Sequence, residues 1–175
     1  MRDLDEALVD EVWEGLCAWA SERSQGEARA FIDDQPHLVA LVEAVMQEFD
    51  VEAQKAGFGL LFLLAKVLEA QWEGPIRPLG GETVARAYEA TVAWMDRWQD
   101  ADERFLARSG EFPQPHLIPY LITRFYPGVV GRDDYEAEVR GSLFLVLKAA
   151  AEALEAAEPR EGGCRGSRAS GPGQG

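Results

Sequence analysis

Residues 59–66 read GLLFLLAK, and residues 141–148 read GSLFLVLK. Each octet opens with Gly, carries Leu-Phe-Leu in its middle and closes on Lys. Neither alternates polar and apolar residues as a half-buried strand would, and each sits in a run long enough for a helix. The first belongs to AGFGLLFLLAKVL, residues 56–68. A helix apolar around its whole circumference has to be buried on most sides. The run falls short of the roughly 20 residues that cross a bilayer, and Lys66 interrupts it, so it reads as a core helix.

The likeness extends upstream. QPHLV occupies 35–39 and QPHLI occupies 114–118, and the two segments hold both histidines of the chain. The tetrapeptides lie 79 positions apart and the octets 82, the difference falling in a longer linker, YPGVVGRDD, in the second half. A Trp-bearing amphipathic pattern precedes each block, around Trp13 and Trp19 and around Trp94 and Trp98. The expected fold is therefore all-α: a compact six-helix bundle of two pseudo-twofold-related three-helix units, an internal duplication. Unit one covers about 3–73, a loop 74–81 and unit two about 82–157, together one domain over 1–157. One unit cannot cover its own greasy third helix, whereas two can by packing those helices together. Gly59 and Gly141, with Gly57, are expected to mark close helix approach.

Local signals divide the chain further. Leu4, Leu8, Val12, Leu16 and Trp19 form a stripe that predicts a helix over 3–23, with a short turn at 27–32. Pro36 suits the first position of a helix, because it has no N–H to lose there. Asp34 or Gln35 would cap it, Asp being the better cap. Asp50 starts the helix over 51–72, and EGPIRPLGG at 73–81 is a loop. Later helices are expected over 82–108, 115–125 and 134–155, with Pro119 forcing a 3₁₀ start or a kink in the second of these. Residues 158–175, rich in Gly, Ser and Arg, are expected to form a disordered tail.

Composition narrows the function. A net charge of −14 with no basic stripe repels phosphate, which argues against nucleic acid and against an anionic membrane surface. Cys17 and Cys164 show no CxxC or metal spacing, and the N-terminus lacks a signal peptide's basic and apolar regions, so a cytoplasmic location is expected. The residues retained in both halves are the site candidates: Gln35, His37, Gln114 and His116 at the paired helix starts, and Lys66 and Lys148 in the octets. The helix-start residues have a plain structural reading, satisfaction of the first free N–H groups. They also allow a shared cleft at a pseudo-twofold. Each lysine either lays its stem on the core with its ammonium in water, or forms a buried ion pair. No phosphate loop, nucleophile motif or His-metal spacing occurs, so no metal and no cofactor is expected. The pattern favours a helical interaction or scaffold protein over an enzyme. It would act through a groove between the units, on a protein partner or on itself as a homodimer. The alternative is a binder of a small ligand or metal, or an enzyme, using the paired Gln-Pro-His segments.

Overall fold

The computed structural model describes residues 6–97, 117–126, 128 and 133–156. Among them the chain is all-α, with seven helices and no strand. These are α1 (Glu6–Cys17), α2 (Ser21–Asp34), α3 (Pro36–Met46), α4 (Val51–Trp72), α5 (Gly81–Arg97), α6 (Leu117–Phe125) and α7 (Asp133–Ala156). Gln114, His116, Trp98, Cys164 and the expected tail lie outside the described residues.

The two octets fall in the centres of α4 and α7, the long helices of the molecule. These helices pack against each other, and Leu61, Leu64, Leu143 and Val146 are fully buried. The other helices surround them in a reciprocal pattern. α1 and α3 pack on α4, while α5 and α6 pack on α7. Across the molecule α3 reaches α7 and α6 reaches α4. Further, α3 meets α5, and α6 meets α1 through Trp13 and Phe125, whose rings lie 4.7 Å apart.

Helix boundaries follow local chemistry. The Asp50 carboxylate accepts a hydrogen bond from the Ala53 N–H at 2.9 Å, capping α4. α4 ends where Glu73 turns left-handed (φ 54) and the Gly74 N–H returns to the Glu69 carbonyl at 3.1 Å. Pro119 sits third in α6, within regular helix. The start of the helix expected from residue 115 lies outside the described residues.

Three expectations change. The stripe read as one helix over 3–23 breaks at residues 18–20, and α2 occupies the stretch read as a turn. Its sequence, SERSQGEARAFIDD, buries Phe31 alone, so it carries little apolar periodicity to recognise. The cap of α3 is Gln35, not Asp34, which ends α2, and no side-chain cap bond forms. The close helix approach is at Gly57 rather than at Gly59 and Gly141. A Cβ on Gly57 would come within 3.2 Å of Met46 Cγ and Val42 Cγ1, and 3.6 Å of Leu143 Cδ2. One at Gly59 or Gly141 would meet nothing within 4 Å.

Candidate functional site

A groove of about 560 Å³ lies between α3 and α5. Its α3 wall is Ala40, Leu41, Ala44 and Val45; its α5 wall is Val84, Ala85 and Tyr88. His37 stands at the start of α3, exposed, with its imidazole against Gly81 at the start of α5. A Cβ on Gly81 would lie 3.1 Å from both Cε1 and Nδ1 of that ring, so a side chain there would push the exposed imidazole aside. The groove face of α3 is unusual for an exterior surface. An amphipathic helix is expected to be polar outside, yet α3 has a single charged residue, Glu43, along its length. Ala40 and Ala44 stand exposed one turn apart.

The seam between α1 and α6, by contrast, is filled. Trp13 lies against Phe125, and the Tyr120 hydroxyl donates to Asp10 Oδ1 at 2.9 Å. Arg124 Nε stands 3.9 Å from the same carboxylate oxygen. That hydrogen bond, followed by burial, raises the Tyr120 pKa above its ordinary value. By the register of the two QPHL segments, Tyr120 and Arg124 correspond to Leu41 and Val45 of the open groove.

A second hollow, about 250 Å³, lies where α2, α4 and the 73–80 loop meet. Both Gln35 and Lys66 line it. Gln35 is 2% exposed, and both ends of its amide bond to the loop. Its Nε2 donates to the Arg77 carbonyl at 3.0 Å, and its Oε1 accepts from the Leu79 N–H at 3.1 Å. Lys66 Nζ donates to Glu27 at 3.0 Å and to Glu69 at 2.9 Å, and the other Glu69 oxygen accepts from the Ile76 N–H at 3.3 Å. Burial alone would lower the Lys66 pKa, but the hydrogen bonds and charges of Glu69 and Glu27 outweigh it and raise it.

Lys148 lies elsewhere, between α5 and α7. It is 1% exposed, pairs with Glu152 one turn on, and holds its ammonium 4.9 Å from the Trp94 ring centre. The Thr91 hydroxyl donates to the other Glu152 oxygen at 3.2 Å. The lysines therefore take the ion-pair form rather than reaching freely into water. The structure brings Gln35 and Lys66 into one hollow, places His37 in the groove, and sets Lys148 apart in the core. Sequence reasoning missed the alanines and Tyr88 of the groove. Their signal was a charge-poor outward face on α3, visible only once its inward face is known. Among the described residues no group of three or more His, Cys, Asp or Glu side chains could hold a metal ion. No helix among them is long and apolar enough to cross a membrane.

Comparison of the chain with family models, with curated proteins and with solved structures gives no match.

Proposed function

We propose that the chain is a duplicated helical unit serving as a docking module, and that a helix of a protein partner lies in the α3–α5 groove. The groove carries this reading: an apolar channel on an exterior helix face, lined by Ala40, Leu41, Ala44 and Val45 of α3 and by Val84, Ala85 and Tyr88 of α5. Contiguous apolar surface of this kind is the usual mark of an interaction site, and helix-in-groove binding uses such a channel. The three alanines let a third helix approach closely.

Reciprocal packing supports the duplication. α3 pairs with α7 and α5 just as α6 pairs with α4 and α1, the exchange a pseudo-twofold produces. Three matched pairs share their environment as well. Gly59 and Gly141 are exposed, Phe62 and Phe144 are half-buried, and Leu61 and Leu143 are fully buried. A crystal structure in which residues 36–72 fail to superimpose on 115–156 would remove the duplication.

The docking reading is tested with a synthetic amphipathic peptide bearing Leu and Phe on one stripe and uncharged Gln elsewhere. Backbone amide shifts should move along His37–Glu48 and Gly81–Tyr88, and Ala40→Gln with Ala44→Gln should abolish them. Absence of a localised shift at saturating peptide sinks the reading.

A further inference from the structure

Resting on that docking reading, we infer that the groove's occupant is a helix whose apolar stripe is flanked by Lys or Arg, supplied by another protein rather than by a second copy of this chain. The argument begins with the contrast between the two seams. The α1–α6 seam is closed from within by Trp13, Tyr120 and Phe125, with Asp10 and Arg124 facing each other across it. In the α3–α5 seam, Leu41 and Val45 stand in register with Tyr120 and Arg124. These shorter side chains leave a channel of about 560 Å³. What one seam holds in aromatic bulk and positive charge, the other leaves to be brought in.

The charges beside the channel specify the complement. Glu48 lines it, and among the described residues neither Lys nor Arg does. Glu43 follows Ala40 by three positions on α3, and Glu89 follows Ala85 by four on α5, so each carboxylate flanks a lining alanine on its helix surface. All three glutamates are exposed. Arg86, the basic residue closest in sequence to the α5 wall, is engaged by Glu82 at 3.3 Å. The resulting surface is an apolar trough with acidic edges, complementary to a basic amphipathic helix. A second copy carries the same net charge of −14 and the same acidic edges, so self-docking is opposed by repulsion.

The test uses the full chain and three peptides that share one Leu-and-Phe stripe and differ only in flanking residues: Lys, Gln or Glu. At low salt, affinity should fall in that order, with roughly a three- to tenfold gap between the Lys and Gln peptides that closes at high salt. Glu43→Gln with Glu48→Gln and Glu89→Gln should erase the gap between the Lys and Gln peptides. Equal affinities for the Lys and Gln peptides, with both in the groove, overturn the inference and leave the docking reading standing. No peptide in the groove removes both. Lys-peptide shifts spread over the surface and insensitive to Ala40→Gln with Ala44→Gln would be non-specific charge attraction and also overturn it. So would sedimentation showing a dimer that those alanine substitutions dissociate, because a second copy would then be the occupant.

Discussion

At the scale of single residues, Gln35 shows how a polar side chain can be buried in the core wall. Both halves of its amide are used, one as donor to Arg77 and one as acceptor from Leu79. Gln35→Ala strands both loop groups and should cost about 1–3 kcal/mol in urea unfolding. Gln35→Glu keeps the acceptor but turns an oxygen towards the Arg77 carbonyl, and should be at least as costly at neutral pH. The Lys148–Glu152 pair lends itself to a double-mutant cycle. Glu152→Leu removes the carboxylate beside a buried ammonium and should destabilise more than Lys148→Met. The double variant should recover most of the loss, with a coupling of roughly 2 kcal/mol. Tyr126 governs an alkaline limit. Burial, followed by the Glu136 carboxylate, pushes its hydroxyl up to about 12 from 10.0. The unfolded chain therefore releases this proton first, so stability should be whole below pH 10 and decline as pH rises from 10 to about 12. Lys66, also raised above 10.5, adds a loss on the same alkaline side. Tyr126→Phe should flatten part of that decline in pH-dependent thermal melts.

At the scale of elements, glycines separate tight packing from mere tolerance. Gly59→Ala and Gly141→Ala add a methyl in open space and should each stabilise by about 0.5–1 kcal/mol through helix propensity. Gly57→Val forces bulk towards Val42 and Met46 and should destabilise by about 1–3 kcal/mol. Thermal melts of the three variants check both signs. The same contrast explains what could be read from sequence. α4 was legible because an all-round apolar run bounded by Asp50 and a Pro-Gly loop leaves little else to form. α3 was legible from Pro36 and its stripe. α2 was hidden because few of its residues are apolar, and Trp19, taken for part of the first stripe, sits in the break beneath the Arg23 guanidinium at 4.3 Å. The paired residues raised attention to Gln35 and His37, but their roles depended on a loop and a helix start distant in sequence. The groove was least legible of all. An alanine reads the same whether it faces solvent, a neighbour or an empty channel, and only the course of α5 distinguishes these.

At the scale of the whole molecule, the long helices carry the cohesion. α4 and α7 contribute a large share of the buried core and touch each other directly. Two ties hold the connector between α4 and α5: the Gln35 amide and the Glu69 bond to the Ile76 N–H. A protease site inserted beside Gly80, with cleavage after folding, should therefore leave one particle on gel filtration. Its two pieces should part only under denaturant; separation in native buffer would show that the interface between them is weaker than its burial implies. A chain that survives such a nick could also be assembled from two separately encoded halves. Fused to the fragments of a divided reporter enzyme, those halves would turn their own reunion into a signal.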